Sequence, residues 1–161
     1  MPRLSAGLLL YRVRAGVVEV LIAHPGGPFW ARKDDGAWSI PKGEYDDGDD
    51  PWVAAQREFS EELGLPAPSG PRIDFGPLKQ PSGKVVTAFA VGADPDIAEA
   101  RSNTFELEWP KGSDRMREYP EVDRVGWFPV AQARTKLLKG QRAFLDRLMT
   151  LPELAGLDEG T

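Results

Sequence analysis

The fold is decided by residues 43–65, which read GEYDDGDDPWVAAQREFSEELGL. Asp50 and Pro51 predict the start of a helix, because Asp caps the first free N–H groups and Pro suits the first helical position. Gly64 predicts its end, since glycine readily adopts the left-handed conformation that closes a helix. The apolar residues between these signals recur at helical spacing and predict one buried stripe, made by Trp52, Ala55, Phe59 and Leu63.

Three glutamates of this predicted helix, Glu58, Glu61 and Glu62, lie within one turn. Like charges at spacings of three and four residues cost roughly 0.2–0.5 kcal/mol per pair on an isolated helix. A sequence selected only for stability would place Lys or Arg at one of these positions. The run by itself is also typical of a solvated charged face, so its flanks have to decide whether the cluster serves a function.

The composition predicts one ordinary domain, residues 1–161, with 41% hydrophobic residues and a loose tail after about residue 151. The formal net charge is −5, and an acidic domain is a poor candidate for binding nucleic acid or an anionic membrane. The apolar run at residues 6–10 is too short for a membrane span, and Arg12 and Arg14 follow it closely. These features predict a cytoplasmic protein without nucleic-acid or membrane partners.

The residue types present restrict the chemistry of any metal site. The chain has no cysteine and a single histidine, His24, so disulfides, thiol catalysis and an ordinary structural zinc site are excluded. A metal site in this chain must therefore be rich in oxygen ligands, which favours magnesium or manganese.

Apolar and alternating runs predict a sheet around the helix. The predicted strands are residues 4–13, 17–24, 38–40, 72–79, 84–91, 103–109 and 125–128. Residues 41–49 are predicted to form a polar loop, and residues 130–138 and 140–149 to form C-terminal helices. Strands mixed with three helices predict an α/β protein with a mixed sheet and helices on its faces.

The flanks of the glutamates complete a longer pattern. Gly43 precedes the helix, Asp49 follows six residues later, Arg57 stands eight residues after that, and Gly64 and Leu65 close the segment. It resembles the Nudix box, G-x5-E-x7-R-E-U-x-E-E-x-G-U with U apolar, at every fixed position except that Asp49 replaces the first Glu. The resemblance implies the Nudix fold, an α/β/α sandwich around a mixed β-sheet, and an enzyme that hydrolyses phosphoanhydride bonds.

The same resemblance implies a divalent cation, Mg²⁺ or alternatively Mn²⁺, and roles for the box residues. Glu61, Glu62 and the Gly43 carbonyl are the expected metal ligands, and Glu58 is a further ligand or the base that takes a proton from the attacking water. Arg57 is expected to orient the glutamates through charge-assisted hydrogen bonds. Asp49 is expected to be supportive, although its side chain is one methylene shorter than glutamate.

Four residues outside the box are further candidates. Glu121 resembles the acidic residue that many Nudix enzymes recruit from a distant loop, with Glu106 and Glu108 as weaker rivals, and a surface charge is the alternative for Glu121. The others are expected to bind substrate: Lys42, Trp30 and Arg32. An exposed loop lysine is the alternative interpretation of Lys42, and a loop anchor that of Trp30.

The expected reaction is hydrolysis of a nucleoside triphosphate to a nucleoside monophosphate and pyrophosphate. A dinucleoside polyphosphate hydrolase is the nearest alternative, because residues 40–43 read IPKG, although residues 66–90 contain no tyrosine. Pro81 keeps an ADP-ribose hydrolase open, and a nucleotide-sensing module without catalysis is the alternative of a different class. The expected partner is a small nucleotide or other diphosphate, and a homodimer is also considered.

Overall fold

A computed structural model describes residues 3–161 of the chain. Most of its strands and helices lie where the sequence predicts them. The strands are β1 (Leu4–Arg14), β2 (Val17–Pro25), β3 (Lys42–Tyr45), β4 (Arg72–Lys79), β5 (Val85–Gly92), β6 (Thr104–Glu108), β7 (Met116–Pro120) and β8 (Val122–Pro129). The helices are α1 (Pro51–Leu63), α2 (Val130–Lys136) and α3 (Arg142–Met149), with a single 3₁₀ turn at Lys139–Gln141.

The main sheet is mixed and is organised around β1. Its strand order is β4-β5-β1-β2-β8, and β3 also pairs with β1. β1 runs parallel to β5 along one edge, and along the other edge it is antiparallel to β3 at its start and to β2 at its end. β6 and β7 form a separate two-stranded sheet, the β6–β7 hairpin.

Helices cover both faces of the main sheet, and alternation along β1 explains this arrangement. Leu8 and Leu10 belong to the apolar cluster that contains α1, whereas Leu9 belongs to the cluster that contains α2 and α3. Successive side chains of a strand point to opposite faces, so one strand supplies both cores. The predicted α/β/α sandwich around a mixed sheet is therefore confirmed.

Helix α1 begins and ends where the sequence predicts. The Asp50 carboxylate accepts a hydrogen bond from the Trp52 N–H at 2.9 Å, and Gly64 adopts the left-handed conformation at φ 65°. Of the predicted stripe, Ala55, Phe59 and Leu63 are buried, and Trp52 is half-buried. The helix therefore packs this stripe on the sheet, and Glu58, Glu61 and Glu62 lie outside the buried stripe.

Two local predictions were wrong, and one strand was not predicted. Residues 42–45 form β3 rather than a loop, because their backbone groups pair with β1 even though their side chains are polar. Residues 38–40 make only isolated bridges, with Ala23 and Leu137, instead of a full strand. Residues 116–120, to which the sequence assigned no element, form β7, since pairing with β6 satisfies a backbone that lacks an apolar pattern.

The C-terminal tail is not loose, which corrects the prediction for the residues after 151. The Asp158 carbonyl accepts from the Val18 N–H at 2.9 Å, and the Glu159 carboxylate accepts from Arg134 at 2.7 Å. Leu154 is buried in the core on the side of α2 and α3. These contacts add the tail to that face of the sheet.

Within residues 3–161, the helices are all too short or too polar to cross a membrane.

The close approach of β1 and β3 predicts a stability defect in Gly7→Ala. A Cβ at Gly7 would lie 2.6 Å from the Pro41 carbonyl oxygen and 2.8 Å from the Lys42 Cβ. Because the backbone has to shift, we expect a loss of about 1–3 kcal/mol in the free energy of unfolding, measured by urea denaturation. Gly70→Ala is the control, since a Cβ there meets nothing within 4 Å. Equal stability of the two variants would contradict the packing described.

Candidate active site

Glu62 is the most buried carboxylate of the predicted cluster. Its Oε1 accepts a hydrogen bond from the backbone N–H of Lys42, the first residue of β3, at 3.0 Å. Burial raises the pKa of Glu62 to about 7, against the opposing effects of this hydrogen bond and of the Lys42 charge. The nearby charges of Glu58 and Glu121 raise the pKa further. A carboxylate in this position is stabilised in its ionised form when a cation is close to it.

Glu58 lies one helical turn before Glu62 and packs against the backbone of β3. A Cβ added to Gly43 would collide with the Glu58 carboxylate, so glycine at this position makes room for that side chain. Burial and the charge of Glu61 raise the pKa of Glu58, whereas the Arg57 guanidinium, 3.7 Å away, lowers it. The side chain therefore lies between a like charge and an opposite charge on its own helix.

Lys42 is half-buried at the start of β3 rather than exposed in a loop. Burial lowers the pKa of its ammonium group, and the charge of Glu62 acts in the opposite direction. The side chain lines a cleft of about 200 Å³ together with Trp30, Glu62 and Glu121. One end of this cleft thus combines a cation, two carboxylates and an aromatic ring.

Glu121 comes from a different part of the chain. It lies at the corner between β7 and β8, where its N–H donates to the Asn103 carbonyl at 2.7 Å and its carbonyl accepts from Gly26 at 3.0 Å. Its side chain is exposed, yet its charge acts on both Glu58 and Glu62. The structure thus brings Glu121 to the box glutamates.

The two rivals of Glu121 have other surroundings. Glu106 is exposed on β6, directly across from Glu118 of β7. The Glu108 carboxylate accepts a hydrogen bond from the Gly112 N–H at 2.5 Å within the turn of the β6–β7 hairpin. Neither contributes to the charges that raise the pKa of Glu62.

The remaining predicted site residues lie at the margin. Arg32 and Asp49 are exposed, and Asp49 lies in the turn before α1, where its N–H donates to the Asp46 carbonyl at 3.0 Å. Among the ion pairs of residues 3–161, none joins Asp49 to Arg57, which instead lies close to Glu58. The Trp30 ring faces the Lys33 ammonium group, with 5.1 Å between nitrogen and ring centroid.

His24 has a structural environment. Its ring is buried, with Nδ1 at 2.7 Å from the Asp123 carboxylate and Nε2 at 2.6 Å from the Lys33 carbonyl. Each ring nitrogen therefore lies within hydrogen-bond distance of an oxygen atom. The histidine thereby ties the loop after β2 to β8.

Residues 101–103, which the sequence analysis did not single out, connect the end of α1 with the corner that carries Glu121. Residues 101–103 donate backbone hydrogen bonds to the end of α1, from Arg101 to the Leu63 carbonyl at 2.7 Å and from Asn103 to the Glu61 carbonyl at 3.1 Å. Neither charge nor periodicity distinguishes this segment in the sequence. Only the three-dimensional fold reveals the connection.

The donor set suits a hard divalent cation, but the carboxylates are not gathered tightly. Across residues 3–161, no group of three or more His, Asp or Glu side chains is close enough to hold a metal ion. The Glu62 oxygen is directed to the Lys42 N–H instead. The chemistry of the donors, all oxygen and partly desolvated, fits Mg²⁺ or Mn²⁺.

Comparison with known proteins identifies relatives by sequence. The family model described as NUDIX domain matches residues 1–148. A 65-residue segment, 39% of this chain, is 46% identical to an RNA pyrophosphohydrolase from Rhodospirillum rubrum and covers 38% of it. A 61-residue segment, 38% of this chain, is 39% identical to an asymmetrical bis(5'-nucleosyl)-tetraphosphatase from Caenorhabditis elegans and covers 40% of it. The matches thus span about two fifths of these curated relatives.

Solved structures agree on the fold over nearly the whole chain. A mutT/nudix family protein from Listeria innocua superposes with a TM-score of 0.62 at 20% identity, covering 93% of this chain and 94% of its own. An Ap4A hydrolase from C. elegans superposes with a TM-score of 0.59 at 22% identity, covering 89% and 94%. At these identities the likeness concerns the fold alone. Together with the family model that spans residues 1–148, it shows that the chain belongs to the NUDIX domain family.

Proposed function

We propose that the protein is a divalent-metal-dependent hydrolase that cleaves a phosphoanhydride bond, with nucleoside triphosphates as its substrates. Members of this family generally use divalent cations. The proposed products are a nucleoside monophosphate and pyrophosphate, and the proposed cation is Mg²⁺, with Mn²⁺ as the alternative. The single observation that carries the proposal is that Glu62 from α1 and Glu121 from the β7–β8 corner line one cleft together with Lys42, with Glu58 one helical turn before Glu62.

Charge is the reason why this arrangement favours a metal-dependent reaction. A polyphosphate is polyanionic, and a cluster of carboxylates repels it unless a cation lies between them. In the proposed site, Glu61, Glu62 and the Gly43 carbonyl hold the cation, and Glu58 is a further ligand or the base. A bound divalent cation there supplies Lewis-acid polarisation of the phosphate and a more acidic water.

The protein's own residues perform the remaining steps. One carboxylate, Glu58 or Glu121, accepts the proton of the attacking water, and partial burial of Glu58 makes its carboxylate a stronger base than an exposed one. Arg57 counteracts this effect by keeping the neighbouring Glu58 charged. Asp49 is proposed to support the site from the turn before α1, where its N–H donates to the Asp46 carbonyl.

The cleft next to the carboxylates is proposed to bind the substrate. Lys42 provides a half-buried cation for a phosphate oxygen, which is more effective there than in bulk water because the local dielectric is lower. Trp30 offers a ring at the wall of the same cleft for a nucleobase. Arg32, exposed on the same loop, is the third proposed substrate contact.

A dinucleoside polyphosphate is the second candidate substrate. It is supported by sequence similarity to the tetraphosphatase from C. elegans. RNA is a further candidate substrate, because several relatives are named RNA pyrophosphohydrolase. A homodimer remains a prediction.

The proposed reaction predicts metal-dependent release of pyrophosphate from nucleoside triphosphates. Glu58→Gln and Glu121→Gln should each lower kcat by about 10²-fold or more, the scale of a lost catalytic base or ligand. Turnover is measured with Mg²⁺ or Mn²⁺ and with EDTA, on nucleoside triphosphates, diadenosine tetraphosphate and a 5′-triphosphorylated oligonucleotide.

Glu118→Gln is the matched control for Glu121→Gln, because Glu118 is an exposed glutamate on β7 that faces Glu106. Its kcat should stay within about 2-fold of wild type, as expected for a surface substitution. Tight nucleotide binding without turnover would favour the sensing module instead. Turnover that survives EDTA would contradict a metal-dependent site.

The raised pKa of Glu62 predicts that Glu62→Gln stabilises the metal-free protein at high pH. A folded-state pKa above the usual 4.5 means that ionisation costs stability as pH rises from 4.5 to about 7, and this cost persists above 7. The shift corresponds to about 3 kcal/mol as an upper bound. Glutamine keeps an oxygen that accepts the Lys42 N–H.

Urea denaturation in EDTA at pH 8 and near pH 4.5 tests this prediction. The variant should be more stable than wild type at pH 8, and the difference should shrink towards pH 4.5, where the folded-state carboxyl is protonated and the unfolded-state carboxyl is half protonated. Glu61→Gln is the control, since Glu61 is exposed on the same helix and its replacement should change stability by less than about 0.5 kcal/mol. A wild type that is more stable than Glu62→Gln at pH 8 would refute the burial effect.

A further inference from the structure

Residues 101–103, which we call the clasp, attach to the end of α1. The Arg101 N–H donates to the Leu63 carbonyl at 2.7 Å, and the Asn103 N–H donates to the Glu61 carbonyl at 3.1 Å. Carbonyls in the last turn of a helix have no partner within the helix, so the clasp satisfies groups that would otherwise need water. It is therefore fixed to the turn that carries two of the three box glutamates.

The other side of the clasp holds the corner between β7 and β8. The Asn103 carbonyl accepts the N–H of Glu121 at 2.7 Å. The Ser102 hydroxyl accepts the N–H of Val122 at 2.8 Å and donates to the Asn103 carbonyl at 2.5 Å. Ser102 thus bonds directly to the residue after Glu121 and to the carbonyl that holds Glu121 itself.

The position of the Glu121 carboxylate depends on these backbone bonds. Its side chain is exposed, so packing does not fix it. Val122, by contrast, is buried, and its N–H relies on the Ser102 hydroxyl. The corner is also held from the opposite side, since the Glu121 carbonyl accepts from Gly26. Among these hydrogen bonds of the corner, in the described part of the chain, only the bond from the Val122 N–H to the Ser102 hydroxyl involves a side chain. The others join backbone groups.

We propose that Ser102 is a positioning residue, which holds Glu121 at a fixed place relative to Glu58 and Glu62 so that the carboxylates act together on one substrate. This role rests on the proposed hydrolysis. Ser102 does not touch the reacting atoms; it acts through the backbone of the corner. Small displacements matter at such a site, because a shift of about 1 Å in a reacting group costs up to about 10²-fold in rate.

A double-mutant cycle tests the proposal. We expect Ser102→Ala to lower kcat by about 10-fold, within the range for a misplaced group, and to leave KM within about 2-fold of wild type. When Glu121→Gln is already present, adding Ser102→Ala should lower kcat by less than about 2-fold, because residues that act as one unit are not additive. Ser102→Thr keeps the hydroxyl and should restore most of the activity.

Two additional measurements separate positioning from general damage. Ser113→Ala removes another hydroxyl that accepts a backbone N–H, that of Arg115 at 3.3 Å, and should leave kcat unchanged. Hydrogen exchange at the Glu121 and Val122 amides should be faster in Ser102→Ala than in wild type, and close to wild type in Ser102→Thr.

The outcomes distinguish this role from the proposed function. If the effects of Ser102→Ala and Glu121→Gln on kcat multiply, or if Ser102→Thr is as impaired as Ser102→Ala, the positioning role is wrong while hydrolysis stands. If wild-type protein turns over none of the substrates with any cation, the proposed hydrolysis is wrong, and the role of Ser102 in it is wrong as well.

Discussion

Repulsion between partly desolvated carboxylates is the constraint on which the rest of the site depends. Glu58 and Glu62 are held near one another and near Glu121, and burial together with these charges raises the pKa of both. Such an arrangement is unfavourable in the absence of a cation. The fold has to supply the free energy that keeps the carboxylates together.

Packing of α1 on the sheet supplies that free energy. Phe59 and Leu63 are fully buried against the strands, and they alternate along the helix with the glutamates. Burial of a large apolar side chain contributes roughly 1.5–3 kcal/mol, more than the repulsion of a pair of like charges on a helix. The same helix therefore anchors itself with one side and presents its charges with the other. Pairing of β1 with β3 then fixes the Lys42 N–H opposite Glu62.

Much of the fold could be predicted because its signals are local. The cap at Asp50, the stop at Gly64 and the alternation in β1 each act within a few residues. β3 and β7 could not be predicted, since their side chains are polar and pairing partners distant in sequence satisfy their backbones. The tail was misjudged for the same reason, because Asp158 and Glu159 find their partners on β2 and α2.

The residues of the candidate site likewise fall into those with a local sequence signal and those without one. Glu58, Glu61 and Glu62 are recognisable because helical spacing places them together, and Gly43 because the box fixes its distance from them. Ser102 and Asn103 carry no such signal, since their importance lies in backbone bonds to α1 and to the β7–β8 corner. The burial of Lys42 likewise depends on the surrounding cleft rather than on its neighbours in sequence.

Calorimetric titration of the metal-free protein with Mn²⁺ at pH 8 tests whether the box glutamates form a divalent-metal site. We expect the wild type to bind Mn²⁺, and both Glu61→Gln and Glu62→Gln to lose at least about 10-fold in affinity, the lower end of the effect of disturbing a metal site. Glu118→Gln should bind as the wild type does. Equal Mn²⁺ affinity in all four proteins would show that these glutamates do not hold the metal.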